Sequence, residues 1–275
     1  MLLNSLKMQI TGMMRKKAVK ITFCILFAFV IVNYFVNMIN YYEVQYVSQM
    51  HDPIKVLTLS TWSISGYFMM QFYPILVVIP TASEYFVDKE TRVKIYVESK
   101  IGRKNYWYSK GIAVFLVTFI IFTLPFFIEL LLEGVCFSLE ATGDPSGFQY
   151  IQTIENERRH IFYPLFLKHK FLYAMLMTVL FGLVSGVLAL FNFSISTLAF
   201  IKYKIFTFIP IYVLFYLLLI MEQLLGAGYT FNYFHILRLF NSQPKNYFCY
   251  MIFLLVLVIS SCIILRIKTL KDDLL

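Results

Sequence analysis

Residues 111–132 read GIAVFLVTFIIFTLPFFIELLL, from Gly111 to Leu132, with no charge before Glu129. A helix rises 1.5 Å per residue, so about 20 residues cross the ~30 Å of bilayer hydrocarbon. This stretch is long enough. Its apolar residues cover every face of a helix rather than one stripe, so it is not a surface helix of a soluble protein. Five further segments read the same way: Ile21–Ile39, Val56–Pro80, Phe171–Phe193, Ile205–Ile220 and Tyr247–Leu265. The fifth in chain order, Ile205–Ile220, is short and is expected to run on toward Gln223. The pattern predicts an all-α polytopic membrane protein, with six transmembrane helices in a single domain over residues 1–275.

Composition points the same way. Hydrophobic residues make up 60% of the chain and charged ones 14%, against about 25% charged in a soluble domain. A net charge of +9 would suit nucleic acid if it formed a patch. Here the cations flank the apolar segments instead, so no nucleic-acid partner is expected. Cys24, Cys136, Cys249 and Cys262 have no framework spacing, and His51, His160, His169 and His235 are scattered. Neither a disulfide scaffold nor a metal site is expected. The basic N-terminus followed by an apolar run lacks a small-residue cleavage site, which reads as an uncleaved first span.

Charge also orients the chain. With the N-terminus in the cytoplasm, 17 of the 24 lysines and arginines fall on the inner side. They lie in residues 1–20, in 81–110, at Lys202 and Lys204, and after Leu265. The positive-inside rule then places both termini in the cytoplasm.

Four segments between the spans carry further pattern. In residues 1–20, Leu3, Leu6, Ile10 and Met13 recur at helical spacing among cations, as in a helix lying at the inner interface against membrane lipids. Residues 81–110 form the largest inner loop. Asp88→Arg92 and Glu90→Lys94 are i,i+4 pairs with the acid first, which predicts a short charged helix over 84–98 that Gly102 breaks. Phe86, Val93, Ile95 and Val97 among these charges suit docking on another protein. Residues 133–170 form the largest outer loop, with a turn cluster at Gly143–Gly147 and Glu155 four residues before Arg159. Residues 221–246 read as an element dipping into the membrane or as a partly buried loop.

Polar residues inside apolar spans are costly and face protein or water. Asn33 and Asn37 share a helix face, Gln71 lies within the second span, and Glu129 and Glu133 stand four apart in the third. They are candidates for a translocation path, or for hydrogen bonds between helices. Gly182 and Gly186 form a G-x-x-x-G that allows close helix packing.

Some chemistry is missing. The sequence has no G-x-x-x-x-G-K-[ST], so no ATP hydrolysis and no cofactor are expected of this chain alone. The run Phe231-Asn232-Tyr233-Phe234-His235 matches part of an intramembrane protease pattern, but the paired glutamates such an enzyme needs are absent.

In layout the chain resembles the membrane subunits of ATP-binding-cassette exporters of the second type, the ABC type-2 permeases. Glu84, Glu90-Thr91, Ser99, Arg103, Tyr106 and Lys110 stand where that family often has a Glu leaving the second span, an acid and Thr, a Ser, an Arg, an aromatic and a Lys opening the third. The family's glycine before that threonine is absent. The resemblance implies a permease that pairs with a second permease chain and an ABC ATPase subunit, which binds the ATP. It also implies that the loop after the second span, with Glu84, Asp88, Glu90, Arg92 and Arg103, couples to that ATPase. An exporter for peptide, lipid, drug or ion fits. So does a membrane-embedded immunity, sensory or regulatory subunit without transport. Abundant Phe, Tyr, Ile, Lys and Asn with few Ala suit an AT-rich genome, hence a bacterial cytoplasmic membrane.

Overall fold

A computed structural model describes residues 2–47, 50, 53–60, 63–82, 84–91, 93–138, 162–198, 201, 203–225, 237 and 247–272. These residues form helices and turns, with no strand among them. In chain order the helices are α1 (Leu2–Met14), α2 (Lys17–Asn40), α3 (Pro53–Val56), α4 (Ile64–Val78), α5 (Glu84–Glu90) and α6 (Val93–Ile101). There follow α7 (Arg103–Cys136), α8 (Tyr163–Lys168), α9 (Lys170–Ser196), α10 (Ile209–Leu225) and α11 (Tyr247–Asp272). A 3-10 turn, Lys204–Phe208, leads into α10. The turn cluster at Gly143–Gly147, the Glu155–Arg159 pair and most of the segment 221–246 lie outside the described residues.

Among the described residues, five stretches are long and apolar enough to cross a membrane: Lys17–Asn40, Arg103–Cys136, Lys170–Ser196, Lys204–Leu224 and Met251–Leu270. The chain is therefore a polytopic helical membrane protein. The fifth apolar segment does run past Gln223, to Leu225.

The remaining segment, Val56–Pro80, is not one continuous helix. Helix α3 stops at Val56, residues 57–60 turn, and α4 starts only at Ile64. The Ser63 hydroxyl caps α4 by accepting from the Gly66 N–H at 2.9 Å. At 15 residues, α4 reaches only about 22 Å. The turn folds back so far that a Cβ on Gly66 would collide with the Thr58 carbonyl oxygen.

Helix α7 is the hub, packing along α9, α1 and α2. Its closest partner is α9. A Cβ on Gly182 would meet the Thr123 hydroxyl, and one on Gly186 would lie 2.9 Å from the Phe115 ring. The two glycines therefore let the backbones approach, as the packing reading of G-x-x-x-G requires. Aromatic rings fill the core: Tyr73 stands 5.8 Å from Phe122 and 5.7 Å from Phe181. Large apolar side chains such as Phe35, Phe68, Phe72, Val213, Leu217, Ile259 and Ile263 face outward, as lipid-facing surfaces must.

Between α4 and α7 the structure has two short helices rather than one over 84–98. Helix α5 ends at Glu90, and the Thr91 hydroxyl donates back to the Val87 carbonyl at 2.7 Å. Gly102 breaks the chain again with φ +82°, a backbone that favours glycine, and α7 begins at the next residue.

Candidate functional site

Buried polar side chains gather at two levels along α7. Lys110 marks one and Glu129 the other, 19 residues apart, or about 28 Å along a helix. That separation matches the thickness of the hydrocarbon layer.

At the α1 end, Glu84 opens α5 and Asp88 follows one turn later, so both project from one face. That face meets α7. The Lys110 Nζ lies 2.7 Å from Glu84 Oε2 and 2.8 Å from Asp88 Oδ2. The Lys16 Nζ, just before α2, lies 2.7 Å from Glu84 Oε1. The Tyr106 hydroxyl donates to Asp88 Oδ2 at 2.6 Å, and Lys110 donates to Gln9 Oε1 at 3.2 Å. Ser5 and Ser109 hydroxyls meet at 2.8 Å. Glu84 is 0% exposed and Lys110 2%. Two carboxylates face two ammonium groups, so the charges balance, and such a set is stable in low dielectric only while complete.

The contact face of α1 is not the apolar stripe alone. Ser5, Gln9 and Met13 are buried against the bundle, while Leu3 is 76% exposed. Ser5 and Gln9 bond to Ser109 and Lys110 of α7.

Glu84 and Asp88 are turned inward against lysines of the same chain. Glu90 is exposed, with its Oε2 2.7 Å from the Lys204 Nζ. Arg103 is half-buried at the start of α7, and Arg92 lies outside the described residues. Among the described side chains, the outward surface of α5–α6 includes Lys89, Glu90, Ile95, Tyr96, Ser99 and Lys100, with the Lys100 ammonium 4.4 Å from the centre of the Tyr96 ring.

At the far end, four of the five candidate path residues come together. Asn33 Nδ2 donates to the Val56 carbonyl at 2.7 Å and to Glu129 Oε1 at 3.0 Å. Asn37 Nδ2 donates to the same carbonyl at 2.9 Å and to Glu133 Oε1 at 3.2 Å. The Thr58 N–H and hydroxyl both donate to Glu129 Oε1, at 2.7 and 2.6 Å. Ser63 and Ser65 hydroxyls donate to Asn33 Oδ1 at 2.7 and 2.9 Å. Asn33 is 3% exposed, Glu129 1% and Glu133 4%. The fifth, Gln71, is exposed on α4 and takes no part.

The local logic is backbone satisfaction. Non-helical backbone at membrane depth must be bonded by protein. The break between α3 and α4 leaves the Val56 carbonyl and Thr58 N–H without helical partners, and Asn33, Asn37 and Glu129 supply them. Sequence reading had missed Thr58, Ser63 and Ser65. Their only signal was a Ser/Thr cluster inside an otherwise apolar segment.

No family model, curated protein or solved structure matches the chain.

Proposed function

We propose that this chain is the permease subunit of an ATP-driven exporter of the ABC type-2 class. In this reading it spans a bacterial cytoplasmic membrane six times, with α4 as the second crossing and both termini inside. It pairs with a second permease chain, and a separate ATPase subunit docks on α5–α6. The observation that carries the reading is the buried cluster of Glu84, Asp88, Lys110 and Lys16. It ties the short helix between the second and third apolar segments to α7 and to the start of α2. A push on α5–α6 would pass to α7 without loss in a flexible joint. The exposed pair Ile95 and Tyr96, beside Lys89, Glu90 and Lys100, supplies a surface of mixed chemistry for the docked subunit. ATP must favour one conformation of the assembly over another to drive transport.

A second reading, an immunity, sensory or regulatory subunit, draws support from the far end. Asn33 and Asn37 are occupied in bonding the backbone at Val56 rather than lining an open path.

The test is to express Tyr96→Ala and Glu90→Lys with the candidate ATPase, then measure pull-down and substrate-stimulated hydrolysis. Loss of a desolvated interfacial charge partner costs about 2–5 kcal/mol, so attachment should drop by at least tenfold in one of them. Attachment and hydrolysis equal to the parent in both variants would remove the exporter reading. Glu84→Lys is unsuitable, because a third cation beside Lys16 and Lys110 would disturb folding itself.

A further inference from the structure

Glu129 and Glu133 stand four residues apart on α7, 1% and 4% exposed. Every bond described for them comes from a neutral donor: Asn33, Asn37, or the Thr58 amide and hydroxyl. The described ion pairs include neither carboxylate. Glu133 Oε2 is buried with no hydrogen-bond partner. Glu133 also lies in the last turn of α7, whose cap Phe137 N–H bonds the Glu133 carbonyl at 2.8 Å. A helix C-terminus carries partial negative charge, which adds to that of the carboxylates. Hydrogen bonds from neutral groups lower the cost of burying charge but do not cancel it. No described cation offsets the charge of either carboxylate.

The described ion pairs of the surrounding elements do not provide one. Tyr34 of α2 bonds the Cys136 sulfur at 2.9 Å. Lys55 of α3 and Lys170 at the start of α9 are each engaged in interactions of their own. Lys170 and Glu133 do border one small cavity of about 20 Å³, otherwise walled by apolar residues including Ile54, Leu57 and Phe171. By volume the space holds at most a single water molecule and no organic ligand, and the surface it exposes is apolar.

We propose that Glu129 and Glu133 form a binding site for one small monovalent cation, a proton or an alkali ion, at the end of the bundle away from α1. The assignment goes beyond the permease reading and does not depend on it, since it is tested on this chain alone. Glu133 Oε2 is the open ligand atom. Glu129, held by three bonds on one oxygen, fixes the geometry and adds the second negative charge.

The experiment uses the full purified chain in phosphatidylcholine nanodiscs. Infrared spectra read the carbonyl band of a protonated carboxyl, and thermal unfolding is compared in sodium chloride and choline chloride. If the ion is a proton, the parent shows the band, Glu133→Gln removes it, and sodium has no effect. If it is an alkali ion, sodium raises the parent's Tm by about 2–4 °C over choline, and Glu133→Gln abolishes the rise. Glu133→Asp keeps a carboxyl one methylene shorter and serves if Glu133→Gln does not fold; it should shift the band or weaken the sodium response. A parent with neither band nor sodium response overturns the proposal. So does a response unchanged in both variants. A sodium response that emerges only in Lys170→Gln also overturns it, because Lys170 would then supply the offsetting charge.

Discussion

The two ends of α7 bury acids in opposite ways. At Lys110, two carboxylates meet two ammonium groups within 2.8 Å. At Glu129, two carboxylates meet amides and hydroxyls but no described cation. The first arrangement joins separate elements, α5, α7 and the start of α2, by charge. The second stitches a broken helix by hydrogen bonds. A buried ion pair is expensive to break, because removing one member strands the other. A hydrogen-bonded acid can trade its charge for a neutral acceptor at modest cost. The two clusters should therefore respond differently to the same kind of substitution.

The largest effect is expected at Lys110. Lys110→Met leaves Glu84 and Asp88 buried with Lys16 alone, and should cost about 3–5 kcal/mol. Unfolding of the chain in nanodiscs and its yield in membranes read this directly, and Lys110→Arg should recover part of the loss. A stable Lys110→Met chain would mean that the α1 end is wetter and looser than its distances indicate.

Next comes Asn33→Ala at the far end. It removes donors to Val56 and Glu129 and the acceptor for Ser63 and Ser65. Unpaired buried polar groups cost about 1–3 kcal/mol each, but Asn37 and Thr58 keep Val56 and Glu129 bonded, so the net loss should stay near 1–3 kcal/mol. Hydrogen exchange should also rise at residues 56–66, while the amides of α5 stay protected. Exchange that rises at both ends together would erase the distinction between the two clusters.

Glu129→Gln sharpens the contrast further. It keeps an oxygen for Thr58 and Asn33 while removing the charge. The loss should be about 1 kcal/mol or less, the difference between charged and neutral acceptors. Glu84→Gln, the matching change at the α1 end, should cost several-fold more because it leaves two lysines to one acid. Equal losses in the two variants would break the comparison.

The smallest effect belongs to the exposed pair Glu90–Lys204. Lys204→Ala should change stability by about 0–1 kcal/mol, because solvent screens both groups. The same unfolding measurement checks it. A larger loss would place this pair at an occluded surface.

Sequence alone determined the class of this protein. Long apolar runs such as Gly111–Leu132 cannot be stable in water, and in lipid they must be helical, since a helix bonds its own backbone. Packing glycines were equally legible, because Gly182 and Gly186 recur on one helix face. Gly102 announced its break because few other residues accept its backbone angle. The pairing of Asn33 with Asn37, and of Glu129 with Glu133, followed from helical spacing within one element.

Only the tertiary structure decided which way the acids of α5 face. Glu84 and Asp88 read as loop charges, and nothing local in the sequence ties them to a lysine more than twenty residues away. The same limit hid the break within Val56–Pro80. Hydropathy reports how apolar a segment is, not whether its backbone is helical. Thr58 can leave the helix only because Glu129, 71 residues distant, accepts its N–H. Contacts between distant elements depend on how helices cross, and no periodicity within a single helix encodes that.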